Sequence, residues 1–144
     1  MMLLLDTNVL SELMRPNPNE GVVHWLDAQP DDEVWISAVT VGEIRLGIEL
    51  LPEGRRKQIL TKIADQMFKQ EFSERCLPFD FEAAGEYAKI IASRKHKGKP
   101  ITVEDAQIAA IAITADITLA TRNIKDFSDI EGLELVNPWE ADIP

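Results

Sequence analysis

The chain has 144 residues, 45% of them hydrophobic and 28% charged, which fits one compact domain with one core and is ordinary for a soluble globular protein. Acidic residues outnumber basic ones 25 to 15, for a formal net charge of -10; that argues against a plain nucleic-acid binder, because phosphate attracts Lys and Arg. Contact with nucleic acid then requires the acid to be gathered around a cation, or a basic partner to supply the missing charge.

Met2 to Leu5 is a short apolar run ending at Asp6, as a buried strand would be. Asp6-Thr7-Asn8 is a turn or cap cluster, and the helix after it runs to about Met14, before Pro16 and Pro18. Glu20 to Ala28 reads as a second helix, Val34 to Ile36 as a strand, and Thr40 to Leu51 as a helix ended by Pro52 and Gly54. A charged helix follows from Arg55 to about Gln70, then a strand from Leu77 to Phe79. Phe81, Ala84, Tyr87, Ala88 and Ile91 recur at helical spacing until Gly98 and Pro100. Thr102 to about Ala115 is a helix rich in Ala and Ile, and Ile117 to Ala120 and Leu133 to Val136 are short strands.

Short apolar strands alternating with helices predict an α/β domain over residues 1–144, with a mostly parallel sheet covered on both faces. In such sheets ligands bind at the carboxyl ends of the strands. Asp6 follows the first strand and Thr121-Arg122-Asn123 follows the fourth.

The lone Cys76 can form neither an internal disulfide nor a cysteine zinc site; it reads as a buried structural thiol. Met1 to Leu5 is too short for a signal peptide or a span, and no other stretch qualifies, so a cytoplasmic protein off the membrane is expected.

Three carboxylates stand out. Asp6 is either a helix cap or a site residue at a strand's carboxyl end. Glu43 lies off the solvated stripe expected for Arg45 and Glu49, between the directions of Leu46 and Leu50. Its helix is apolar over most of its circumference and is expected to be largely buried. An unpaired carboxylate there needs a cation, a donor or a proton; the plainer reading is a first-turn Glu that suits the helix dipole. Asp105 falls in Thr102-Val103-Glu104-Asp105, which reads as a capping box, yet the following helix from Ala106 to Ala115 must be nearly enclosed. Converging carboxylates repel, and a hard divalent cation relieves the repulsion. The oxygen donors favour Mg²⁺ or Mn²⁺; His24 and His96 read as surface or packing residues.

The segments Leu3-Leu4-Leu5-Asp6-Thr7-Asn8-Val9-Leu10-Ser11-Glu12, Ile36-Ser37-Ala38-Val39-Thr40-Val41-Gly42-Glu43-Ile44, Glu104-Asp105-Ala106-Gln107-Ile108-Ala109-Ala110 and Leu119-Ala120-Thr121-Arg122-Asn123, in that order, resemble the PIN-domain family. They are most similar to the VapC and FitB-like toxins of bacterial toxin–antitoxin pairs, a likeness that Asn137-Pro138-Trp139 extends. The resemblance implies a three-layer α/β/α domain with a central twisted sheet. It also implies hydrolysis of RNA phosphodiesters with Mg²⁺ or Mn²⁺ held by Asp6, Asp105 and Glu43. A fourth acidic position of many members falls here on Asn123, with Asp126 as a substitute three residues on. Thr7, Ser37 and Thr121 resemble the small polar residues that orient such carboxylates.

The family further implies a homodimer and a separately encoded VapB/FitA-like antitoxin, whose basic character suits the -10 charge. The run Arg94-Lys95-His96-Lys97-Gly98-Lys99 is read either as an RNA-tracking strip or as cations suited to a helix end. Two rivals stand beside the ribonuclease. A phosphatase of the haloacid dehalogenase type also starts with a strand ending in Asp, but wants a second Asp where Asn8 stands. A PIN-like binding module without chemistry would accommodate Asn123.

Overall fold

The central strand is the first one. The computed structural model describes residues 1–141, and in it β1 (Leu3–Leu5) lies between β2 (Val34–Ser37) and β4 (Thr118–Ala120), with β3 (Cys76–Leu77) and β5 (Leu135–Val136) at the edges. Leu3 is in register with Val34 on one side and with Thr118 on the other. All four pairings are parallel, so the sheet expected to be mostly parallel is wholly so, in the order β3-β2-β1-β4-β5.

A parallel strand inside such a sheet must be apolar on both faces. Leu3, Leu4 and Leu5 are accordingly all fully buried, each contributing about 1.5–3 kcal/mol of burial. Leu3 and Leu5 face a core shared with α1 (Thr7–Leu13), α2 (Glu20–Asp27), α3 (Ala38–Glu49) and α4 (Arg55–Gln66). Leu4 faces the opposite core, filled by α5 (Phe81–His96), α6 (Val103–Ala115) and α7 (Ile124–Phe127). These are the three layers. No helix of the described residues is long and apolar enough to cross a membrane.

The α6 helix is enclosed as its sequence demands: Ala106 and Ile108 to Ala112 are buried. It stops at Asp116, whose left-handed backbone (φ 57°, ψ 48°) turns the chain into β4. Asp tolerates that conformation better than most non-glycine residues. The α3 helix corrects its expectation. Leu46 is 60% and Leu50 76% exposed, so the helix is covered on one side only, by Thr40, Ile44 and Ile48. Arg45 does not pair with Glu49; it bonds Asp65 of α4 at 3.0 Å and lies over the Phe68 ring. Cys76 is half-buried on the edge strand, less enclosed than expected. The charged helix ends earlier than Gln70, at Gln66, and continues as a π turn over Met67–Glu71.

Arg94 and Lys99 of the basic run that ends α5 form a structural clamp. Arg94 is buried, with Nε donating to the Lys99 carbonyl at 2.6 Å and Nη1 to the carbonyls of Asp126 and Ser128 at 3.1 and 3.0 Å. Lys99 pairs with Asp129 at 2.9 Å. The clamp holds α7, a four-residue helix too short for sequence periodicity to reveal. Phe127, almost fully buried, pins α7 from the inside. Phe127→Ala is expected to lower unfolding stability by about 3–5 kcal/mol in urea titrations, and to loosen Asn123, the cap residue of α7.

Candidate active site

The sheet order reverses around β1. The chain steps outward from β1 to β2 and β3, then returns to the other side of β1 as β4. A crevice opens where parallel strands diverge in this way, at their carboxyl ends. Asp6 leaves β1 there and Thr121 leaves β4 beside it. The resulting cleft, about 470 Å³ in volume, is lined by Asp6, Thr7, Asn8, Ser11, Glu12, Arg15, Glu43, Asp105 and Asn123.

Asp6 is both of the things its sequence suggests. As the cap of α1 its Oδ1 accepts the Thr7 N–H at 2.8 Å. Its Oδ2 accepts the Thr121 hydroxyl at 2.8 Å and the Asn8 amide at 3.2 Å. Four lone-pair sites meet three donors, so one direction on Oδ1 stays available to the cleft. The residue is 3% exposed. Burial is the main force on its carboxyl, lifting the pKa from 3.8 to about 6 against the Thr121 and Thr7 hydrogen bonds, while the charges of Asp105 and Glu43 lift it further. Asn8, standing where the phosphatase chemistry wants a second acid, instead donates to Asp6 and to the Thr121 hydroxyl at 3.2 Å.

Glu43 sits in the second turn of α3, because that helix starts at Ala38 under a Ser37 cap rather than at Thr40. The first-turn dipole reading therefore does not apply. Glu43 is half-buried, and its Oε1 accepts the Thr7 hydroxyl at 2.7 Å. That hydroxyl also meets the Thr40 hydroxyl at 3.0 Å. Asp105 stands in the first turn of α6, its backbone N–H held by the Thr102 hydroxyl at 3.2 Å. Burial raises the Asp105 carboxyl pKa, with the charges of Glu43, Asp126 and Glu104 adding to the rise.

The small polar residues divide. Thr121 touches Asp6 and Thr7 touches Glu43. Ser37 spends its hydroxyl as an acceptor for the Thr40 N–H at 3.1 Å, with Thr40 and Thr7 between it and the Glu43 carboxylate. Asn123 lines the cleft and points no side-chain bond at its own helix. Asp126 is exposed outside the lining, although its charge reaches Asp105. Glu12 and Arg15, two lining residues, are absent from the sequence expectations. Their i, i+3 spacing reads as an ordinary surface ion pair, and nothing local shows that Glu12 is buried.

The donor set of Asp6, Glu43, Asp105 and Asn123 suits a hard dication, being oxygen throughout. Among the described residues no three His, Cys, Asp or Glu side chains stand close enough to ligate one ion together. Mg²⁺ does not need three: it commonly takes one or two carboxylates and keeps several waters.

Comparison with known proteins agrees with the layout of the chain. The PIN domain family matches residues 3–133. Toxin FitB of Neisseria gonorrhoeae is 44% identical over 138 residues, covering 96% of this chain and 99% of that protein. A VapC ribonuclease of Sinorhizobium fredii is 39% identical over 139 residues, covering 96% and 99%. Among solved structures, a FitAB complex bound to a DNA fragment superposes with a TM-score of 0.89 at 43% identity, covering 99% of both chains.

Proposed function

The chain belongs to the PIN-domain family, and from that premise we propose that it is the metal-dependent endoribonuclease toxin of a toxin–antitoxin pair. The observation that carries this reading is the grouping of Asp6, Glu43 and Asp105 around one cleft at the carboxyl ends of β1 and β4. Relatives named as ribonucleases and as a toxin supply the reaction class.

Asp6 and Asp105 would hold Mg²⁺ or Mn²⁺, and Glu43 would complete the site through a water, since the three do not stand close enough to ligate one ion together. When bound, such an ion lowers the pKa of an attacking water and polarises the phosphoryl group. The chain's own part is preparation. Thr121, Asn8 and the Thr7 N–H fix the Asp6 carboxylate in one rotamer, so little ordering remains for the moment of reaction. Thr7 fixes Glu43, whose carboxylate is placed to orient a water and accept its proton. Burial of Asp6 withdraws its carboxylate from bulk water, so charges close to it act strongly.

Asn123 supplies a neutral oxygen where many members carry an acid. Asn123→Ala is expected to reduce cleavage by roughly tenfold to a hundredfold, the scale of a lost second contact to a metal site; an unchanged rate would remove Asn123 from the machinery and turn attention to Asp126. Ser37 supports the start of α3 rather than a carboxylate.

A homodimer, a basic VapB/FitA-like antitoxin closing the cleft, and a cytoplasmic setting complete the proposal. A toxin–antitoxin complex from Klebsiella pneumoniae is among the structural neighbours, which supports a separate partner chain. The direct test is sequencing of RNA 5′ ends after brief expression of the free protein, with Asp6→Asn as control. Discrete ends that vanish in the control support the reading, and identical end profiles refute it.

A further inference from the structure

One wall of the cleft is not needed by the acidic trio. The α1 helix and the turn after it carry Ser11, Glu12 and Arg15 away from Asp6. Arg15 is the one positively charged side chain among the described residues lining the cleft. Its position is set by Glu12, which is only 6% exposed. The Glu12 carboxylate accepts the Asn19 N–H at 2.8 Å and both of its oxygens accept from Arg15 Nη1, at 3.1 and 3.3 Å. The Asn19 bond is the main force holding the Glu12 pKa down, and the charges of Arg15 and Arg122 add to it.

A guanidinium has five N–H donors, and Glu12 occupies only those of Nη1. The rest of the Arg15 side chain is 65% exposed. The charge of Arg122 also reaches Glu12. The Arg122 backbone N–H is tied to the Asn8 side-chain oxygen at 3.3 Å, and its guanidinium lies 5.0 Å from the centre of the Trp139 ring. Stacking of this kind fixes an arginine's plane while leaving its edge free. Two oriented guanidiniums thus act on one buried carboxylate beside a cleft whose other charged lining residues are acidic.

We propose that Arg15 and Arg122 form the phosphate-binding edge of this cleft, gripping a backbone phosphate of the RNA next to the one that is cleaved, with Glu12 as the positioning residue. The inference rests on the ribonuclease reading above. It answers how a chain of net charge -10 holds a polyanion: through two aimed forks rather than a broad basic field.

The test measures binding of a randomised single-stranded RNA pool, in Mg²⁺ and across a salt series, by Asp6→Asn and by Asp6→Asn carrying Arg15→Gln, Arg15→Lys or Arg122→Gln. Steady-state cleavage by the matching variants with Asp6 intact runs alongside. Each Gln variant is expected to weaken binding about tenfold at low salt, and to reduce the slope of log affinity against log salt by about 0.7, one phosphate contact on a single strand. KM should rise while kcat changes little. Arg15→Lys should restore the salt slope without the full affinity, since one ammonium cannot serve Glu12 and a phosphate as a planar fork does. A merely structural role would lower the melting temperature and leave the slope alone. If the unsubstituted protein cleaves RNA but both Gln variants keep its KM and salt slope, this inference falls and the ribonuclease reading stands. If the unsubstituted protein neither cleaves nor binds RNA, the ribonuclease reading falls.

Discussion

Asp6→Asn is expected to lose RNA cleavage by roughly a thousandfold or more, the scale seen when a preorganised group acting on the transition state is removed, and yet to melt higher than the unsubstituted protein at pH 7 in chelator. The two effects share one cause. The carboxyl is buried, and its pKa in the folded chain is about 6 against an ordinary 3.8. Between those values the folded state holds a proton that the unfolded chain has released. Stability on account of this group is therefore full below pH 3.8, falls as pH rises through the interval, and reaches its low plateau above about 6. A shift of this size corresponds to at most about 3 kcal/mol.

Asn removes that penalty but not for free. An amide can accept at only one of its two ends, so either the Thr7 N–H or the Thr121 and Asn8 donors lose a partner. One lost buried partner costs about 1–3 kcal/mol, which leaves a net gain of about 1 kcal/mol, or roughly 2–4 °C for a chain of this size. Thermal melts of both proteins at pH 5 and pH 7 check it: the advantage of Asn should be largest at pH 7 and shrink at pH 5. An active Asp6→Asn protein would take Asp6 out of the chemistry. A stability difference that ignores pH would take burial out of the account.

Much of this was legible because the relevant signals are short and local. A short, fully apolar Leu3-Leu4-Leu5 run reads as an inner strand, and an acid directly after such a strand stands at its carboxyl end. The enclosure of α6 was legible for the same reason, since Ala and Ile on nearly every face leave no side for water. Leu46 and Leu50 show the limit of that logic. Periodicity reports that a side chain is apolar, not that its own chain covers it, and α3 is covered on one side only. Glu12 shows the converse. It is buried by a loop that folds back to offer the Asn19 N–H seven residues on, a contact no helical wheel contains. The basic run at Arg94 looked like a surface strip because its three backbone acceptors lie at residues 99, 126 and 128.

Stripping divalent cations with chelator is expected to abolish cleavage, and acidification should approach the same end point by protonating the ligands. Asp6 can offer its free Oδ1 lone pair to an ion only when ionised, so protons and metal compete for it. Above about pH 7 the apparent affinity for Mn²⁺ should be flat. Below the Asp6 pKa of about 6 it should fall by about tenfold per pH unit, one proton displaced per ion. Asp105, whose pKa burial also raises, should steepen the fall further down.

The competition has a second, independent readout. An ion that neutralises a buried carboxylate binds only the folded chain, so Mn²⁺ at a hundred times its dissociation constant should stabilise the protein by about 2.7 kcal/mol. At the same Mn²⁺ concentration that shift should fall to about half at pH 5, where the affinity is about tenfold weaker, and should be lost in Asp6→Asn at either pH. Titrating Mn²⁺ into thermal melts at the two pH values measures it without any RNA present. Cleavage that persists in excess chelator, once added metal has been ruled out as a contaminant, would refute a metal-dependent site. A Mn²⁺ shift equal at both pH values would place the ion away from Asp6. If Asp6 is the ligand, metal and proton compete for one carboxylate, so the acid limb of cleavage should move to lower pH as Mn²⁺ is raised, by about one unit per tenfold once the ion exceeds its dissociation constant. A limb that stays fixed as Mn²⁺ is raised would take Asp6 out of that competition.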